Sequence, residues 1–380
     1  MTREPTMSAR RRVVAIGPFP PAVTGAAKNT AIICSDLEGR GAVTYRLQTN
    51  SARGRDEHVR TVGLYARKTL GFVSNMGGIM SRRLSFPAGG SVYLVPDGGL
   101  GVAFSAAYAR VASARSLRLI VHHRNYSHIR DQSRMMAQLV RAAPDRTLHV
   151  FLDPVMERRF RAVYPAVVKS TYVPNAATCD VEISGDSFEL AGSRPISVGF
   201  LSNLVEDKGF DVVADALVIL ARRLGPKARF LLAGRPVGPG NLARLTELRA
   251  ALGDQLCYQG EVFGDSKVEF FRSCDIFVFP TRYSQEAQPN VLYEAMAGGS
   301  LIVSTNWAGV PWMLGGTVSR IVEPGADRAD DIVAAVEDLA STHDLPAARA
   351  RQVKAFHNKK LDADARYERL LDHILGVVNF

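Results

Sequence analysis

The sequence has no run of 18 or more apolar residues, so no segment is long enough to cross a bilayer as a helix. Its opening, MTREPTMSARRRVVAIG, carries Arg10, Arg11 and Arg12 but no apolar stretch of signal-peptide length before Pro18, and no secretion signal is expected. Cysteine is scarce. Cys34, Cys179, Cys257 and Cys274 are scattered, without the paired spacing of a metal site or the density of a disulfide framework. Ordinary thiols in a reducing cytoplasm are the expectation. No segment repeats and none is of low complexity. No Gly-x-Gly-x-x-Gly follows the first apolar run, so the dinucleotide fingerprint is missing there.

Acidic residues are also thin in the first half. Residues 1–190 hold 26 Lys and Arg against 14 Asp and Glu, whereas residues 191–380 hold 21 against 23. The net charge of +10 therefore belongs to the first half. A basic half can meet nucleic acid, an anionic membrane or an anionic substrate. No aromatic stacking platform or recognition motif accompanies the charge, which argues against nucleic acid.

What is present is an ordinary globular composition, 47% hydrophobic and 22% charged, on 380 residues, a length that favours two domains. Short apolar or β-branched runs alternate with helical patterns, the signature of βα units around parallel sheets. In the first half the strand candidates are Val13–Ile16, Val43–Leu47, Val92–Val95, Leu117–Val121, Leu148–Leu152 and Thr171–Val173. Helical patterns between them include Ala26–Leu37, Val102–Ala112 and Ile129–Arg141. A second series follows at Ile196–Phe200, Phe230–Ala233, Leu256–Tyr258, Ile276–Phe279, Leu301–Ser304 and Ile321–Val322, and Ala329 to Leu375 is mostly helical. The expected organisation is an α/β domain over 1–175, a linker over 176–194 and a second α/β domain over 195–358. Residues 359–380 would form a helix packing back on the first domain. Open parallel sheets bind ligands beyond the C-terminal ends of their strands, so a cleft between the halves is the expected site.

The most informative stretch is Asp275–Leu314, DIFVFPTRYSQEAQPNVLYEAMAGGSLIVSTNWAGVPWML. A buried strand stops at Pro280, and a polar loop carries Glu286. Pro289 suits the first turn of a helix, which runs Asn290–Ala297 and ends at Gly298-Gly299. The free N–H groups around Ala287–Val291 then make an anion site at the sheet edge. Glu294 sits one turn inside the helix. The two glutamates could accept hydrogen bonds from sugar hydroxyls while the helix end holds phosphate.

This segment resembles the donor-site signature of family 4 retaining glycosyltransferases, which have the two-domain GT-B fold, an α/β fold with two Rossmann-like domains facing across a cleft. The matching residues are Pro280-Thr281, Glu286-Ala287-Gln288-Pro289-Asn290, Glu294-Ala295-Met296-Ala297, Gly299 and Gly309-Val310-Pro311. Val173-Pro174-Asn175-Ala176 resembles the segment entering the linker. Phe200-Leu201-Ser202-Asn203-Leu204 with Lys208-Gly209 resembles the first loop of the donor domain, and Gly260-Glu261-Val262 the segment that contacts the nucleotide base.

The resemblance implies a nucleotide diphosphate sugar as donor and no cofactor. Glu294 would bind the ribose hydroxyls, Glu286 the hydroxyls of the transferred sugar, and Lys208 the diphosphate leaving group. Asn203, Val262, Ala287, Gln288, Pro289 and Asn290 would line the donor site. Metal should be dispensable, since Lys208 and the helix end take the part a cation plays elsewhere. Many members carry Gly-Arg where this chain has Ser202-Asn203; Arg282 and Arg235 are the candidates for the missing cation.

In the first half, the run from Gly17 to Ala26 resembles the family's glycine loop, with Gly25 the matching residue. His122-His123-Arg124 follows a strand and resembles the region of the family's cleft histidine, His122 being favoured over His123. His123 and Arg124 are then candidates for the acceptor. Val62–Arg83 mixes apolar residues with Arg67, Lys68, Arg82 and Arg83, and reads either as a core-facing helix or as an amphipathic element on a membrane. The expected function is transfer of a sugar to a glycan, lipid-linked or small-molecule acceptor, with possible peripheral contact at the inner membrane face. The rival readings are a sugar-nucleotide epimerase or hydrolase, and a degenerate nucleotide-sugar-binding protein.

Overall fold

The computed structural model describes residues 11–21, 24–49, 69–77, 90–179, 181, 194–325, 327–342 and 344–380. Two compact units emerge, Met1–Thr178 with Ala363–Phe380, and Cys179–Asp362. Most of the expected linker, residues 180 and 182–193, lies outside the described residues, as do 62–68 and 78–83 of the basic segment.

The first unit is built on a six-stranded sheet of β1 (Arg12–Gly17), β2 (Val43–Gln48), β3 (Ser91–Leu94), β4 (Arg118–His122), β5 (Leu148–Phe151) and β6 (Lys169–Tyr172), in the order β2-β1-β3-β4-β5-β6. Every pairing is parallel. Strands such as SVYL and LHVF are buried at every position, so they read as apolar runs rather than alternating patterns. Helix Gly25–Gly39 packs Ile33 and Leu37 on this sheet. The same core takes Tyr367, Leu370, Leu371 and Ile374 from the far end of the chain. Tyr367 donates a 2.6 Å hydrogen bond to Asp36, and Arg40 pairs with both Glu368 and Asp372.

The second unit has its own parallel sheet, of β7 (Ile196–Leu201), β8 (Ala228–Ala233), β9 (Leu256–Tyr258), β10 (Ile276–Phe279), β11 (Leu301–Thr305) and β12 (Ser319–Val322). Its pairings are all parallel and its order is β12-β11-β10-β7-β8-β9, the doubly wound arrangement in which the strand order reverses between β7 and β10. Connections leaving these two strands go to opposite faces of the sheet, and a crevice opens at their C-terminal ends. A fully buried aromatic core of Phe200, Phe210, Phe230, Phe270, Phe271, Phe277 and Phe279 fixes the sheet against its helices. Below it, the buried Asp275 is gripped by Arg194 at 2.7 and 2.8 Å and by Arg349 at 2.5 Å. Arg349 also donates to the carbonyls of Gly298 and Gly299, tying down the end of the helix Asn290–Ala297.

Two expectations need correction. The pattern Ile129–Arg141 is not one helix: Ser127–Arg130 and Arg134–Ala142 are separate, because Asp131 is extended and the Ser133 hydroxyl caps the second helix by accepting from Met136 N. Pro289 stands at the N-cap of its helix rather than in the first turn. The change of unit expected near residue 359 falls between Asp362 and Ala363, inside one continuous helix, Leu345–Ile374, whose last turns join the first unit. Of the basic segment, residues 69–77 are helical, with the half-buried Phe72 stacked on Phe104 at 4.6 Å and with Leu70 and Val73 exposed. Among the described residues no helix is long and apolar enough to cross a membrane.

Candidate functional site

The crevice of the second unit is walled by the loops that follow β7 and β10. The first passes through the short helix Glu206–Lys208 to Gly209, whose φ of +87° belongs to the left-handed region. A Cβ at Gly209 would stand 2.6 Å from the Pro280 carbonyl oxygen, so glycine allows the two loops to touch. Their backbones are then joined, with Arg282 N donating to Asp207 O at 2.9 Å. Thr281 is held from behind by the Thr305 hydroxyl, which donates to its carbonyl at 2.5 Å. These contacts bring Lys208 to Glu286, and their side chains form an ion pair. The Lys208 ammonium also lies 4.5 Å from the centre of the Tyr283 ring, a cation–π contact.

Glu286, Ala287, Gln288 and Pro289 lead into the helix Asn290–Ala297, with Ala287 and Gln288 buried. The Tyr293 hydroxyl donates to Gln288 Oε1 at 3.3 Å, and Gly309 N donates to Ala287 O at 3.1 Å. Glu294 is only 4% exposed, yet it carries a partner from another element: Lys267 Nζ lies 2.6 Å from its Oε2. Asn203 is exposed at the end of β7, and Val262 is half-buried beside the exposed Phe263. Of the two candidate cations, Arg282 is engaged by Asp211 at 2.6 Å, and Arg235 follows β8 with its carbonyl accepting from Leu204 N.

In the first unit, the alternation of a strand separates two adjacent histidines onto opposite faces of the sheet. His122 shares a face with Tyr93, whose hydroxyl meets its Nδ1 at 2.7 Å. Burial first, then the charge of Arg124, pushes the imidazole well below its ordinary pKa, so it is neutral; burial likewise lifts the Tyr93 phenol to about 12. His122 Nε2 is buried without a hydrogen-bond partner among the described residues. His123 faces the other way, stacked between Phe151 and His149, with its Nε2 2.9 Å from His149 Nδ1. It is as buried as His122, and its Nδ1 likewise has no hydrogen-bond partner among the described residues. Arg124 donates to Asn175 Oδ1 at 2.9 Å, and Asn29 donates to the same oxygen at 3.1 Å. Gly25 opens the helix Gly25–Gly39 and is exposed, while the Thr24 hydroxyl caps that helix by accepting from Ala27 N.

Residues 195–342 match the protein family described as glycosyl transferases group 1. The match lies within the second unit. The whole chain has the GT-B fold. It superposes on sucrose-phosphate synthase from Thermosynechococcus elongatus with a TM-score of 0.66, at 13% identity over 96% of this chain and 100% of that one. The Anabaena protein HepE, solved in complex with UDP and glucose, gives a TM-score of 0.62 at 14% identity over 96% and 100%. An α,α-trehalose-phosphate synthase from Burkholderia vietnamiensis gives 0.63 at 12% identity over 97% and 98%. In sequence, mannosylfructose-phosphate synthase from Agrobacterium fabrum is 32% identical over 120 residues, which span 29% of this chain and 25% of that relative.

Within the second unit, Lys208 meets Glu286, Gln288 meets Tyr293 and Glu294 meets Lys267, while Asn203 follows β7 and Val262 follows β9. The fold also supplies residues that motif reading missed: Lys267, Asp211 and Tyr283. Tyr283 lies inside the singled-out loop and was readable there as an aromatic beside a cation. Lys267 and Asp211 lie on helices of other βα units, and no local pattern announces them.

Proposed function

We propose that the protein is a retaining glycosyltransferase that moves a sugar from a nucleotide diphosphate sugar to an anionic acceptor. The observation that carries the reading is the meeting of Lys208, Glu286 and the start of the helix Asn290–Ala297 at the reversal point of the second unit's sheet. Breaking the bond between the sugar's anomeric carbon and the diphosphate oxygen places negative charge on that oxygen. Lys208 and the N–H groups of Asn290 and its neighbours would stabilise such charge. Glu286 would accept from hydroxyls of the transferred sugar, and Glu294 from the ribose. Gln288 and Ala287 shape the loop between them.

On the first unit, the neutral His122 would offer Nε2 to a ligand hydroxyl. Its depressed pKa suits positioning rather than proton transfer at neutral pH. We favour a front-face route: the acceptor oxygen bonds to the anomeric carbon as the diphosphate departs, and the departing phosphate takes the acceptor's proton. No protein nucleophile is then required. The basic first half and the sugar-phosphate chemistry in the relatives' names support an acceptor bearing phosphate. The same charge supports contact of a cytoplasmic enzyme with an anionic inner membrane face, with a lipid-linked acceptor as one form of that chemistry.

The test is transfer from a panel of nucleotide sugars, with Lys208→Ala and Glu294→Ala as controls. Both variants should stay folded and lose transfer. Full activity in both would sink the site, and a changed donor without any acceptor would favour an epimerase or hydrolase. Thermal shifts with UDP and GDP report binding independently of turnover.

A further inference from the structure

The helix Gly264–Ser273 leads into β10 and the helix Asn290–Ala297 into β11, so both run against their parallel strands and alongside each other. Gly298 sets how close they come. A Cβ there would stand 2.6 Å from Phe271 Cβ and 2.9 Å from its backbone, an approach no larger residue permits. One turn back from this contact lie Glu294 on one helix and Lys267 on the other. Lys267 shares a helix face with the buried Phe270, Phe271 and Cys274, so its stem runs along apolar surface and its head alone reaches the carboxylate. The ammonium stands 2.6 Å from Glu294 Oε2, in ion-pair contact but outside hydrogen-bond alignment.

We infer that Lys267 is a positioning residue for Glu294: it fixes one carboxylate oxygen and balances its charge, so that the other oxygen faces the ribose diol of a nucleoside diphosphate. The inference rests on the donor site proposed above. A carboxylate this deeply buried is costly without a counter-charge. Deprived of Lys267 it swings toward water, and the diol loses a fixed acceptor. Nothing in this role touches the diphosphate or the base, so the effect is confined to the ribose hydroxyls.

Calorimetry with UDP and GDP, each beside its 2′-deoxy counterpart, tests the idea. The intact protein should bind the ribonucleotide about tenfold more tightly than the deoxy form, the value of one charge-assisted hydrogen bond. Lys267→Met should remove most of that preference by weakening the ribo form alone, and Lys267→Arg should restore it. Glu294→Gln should remove it too, with no further loss in the double variant. A lysine that merely supports the fold would lower thermal stability and weaken both nucleotides alike. That result, or an undiminished preference in Lys267→Met, overturns the inference. If the intact protein binds neither nucleotide or shows no ribose preference, or if Glu294→Gln keeps the preference, the assignment of Glu294 itself falls and Lys267 loses its role with it.

Discussion

Replacing Glu286 by Gln should make the protein bind a nucleoside diphosphate more tightly while transfer fails. Lys208 is not waiting free for phosphate: its ammonium is already paired with Glu286, the side chains being 22% and 15% exposed, and lies over the Tyr283 ring at 4.5 Å. A diphosphate has to displace the carboxylate. Two unit charges about 4 Å apart attract by about 4 kcal/mol at an effective dielectric constant of about 20. Desolvation and lost side-chain freedom cancel much of this, leaving a net strength of about 1–2 kcal/mol for a half-buried pair. Removing the carboxylate charge should therefore lower Kd by about 5–30-fold. The ring contact persists in the variant and keeps the ammonium in place.

The assay is titration calorimetry with UDP and GDP at fixed pH and salt, on the intact protein, Glu286→Gln, Lys208→Met and the double variant. The gain should appear in Glu286→Gln and vanish in the double variant, because without the lysine there is nothing to release. Unchanged or weaker binding in Glu286→Gln would refute the reasoning, and with it the idea that Lys208 receives the phosphates.

Two further predictions concern stability. Asp275→Asn leaves Arg349 buried and without its counter-charge, and should destabilise the second unit by about 3–5 kcal/mol in urea unfolding; a loss below about 1 kcal/mol would mean that the Arg194–Asp275–Arg349 cluster is not the anchor its geometry indicates. In the first unit, burial holds His122 and His123 well below the ordinary histidine value and His149 at about 4. The unfolded chain binds protons on these residues below about pH 6.5 while the folded chain does not, so stability should fall as pH drops from 6.5 toward 4, by about 1.4 kcal/mol per pH unit for each histidine. Urea unfolding at pH 7.5, 6 and 5 checks this, and His149→Gln should flatten the slope.

Much of the fold was readable because strands buried on both faces leave apolar runs that stand out from their surroundings. The donor loop was readable for a related reason: strand, proline, polar loop and helix end follow one another within forty residues of chain. The parts that escaped depend on neighbours distant in sequence. Lys267 reads as one surface lysine on an amphipathic helix, and only the glycine contact between Gly298 and Phe271 brings it to Glu294. Arg282 is a charge in the sequence, but its engagement by Asp211 belongs to the packing of two loops. The two histidines differ by one position, and strand phase decides which faces Tyr93 and which stacks on Phe151. The break at Asp131 turned on the Ser133 cap, a local competition that helical periodicity does not register.

The helix Leu345–Ile374 bears on how this protein can be made. The first unit's core includes Tyr367, Leu370, Leu371 and Ile374, side chains that leave the ribosome only after the whole second unit. Until then, the apolar side chains that will meet them have no cover. Folding of the first unit therefore finishes last although its strands are synthesised first, and a chain cut at Asp362 would lack part of that core. The two units are separate in packing but not in biogenesis.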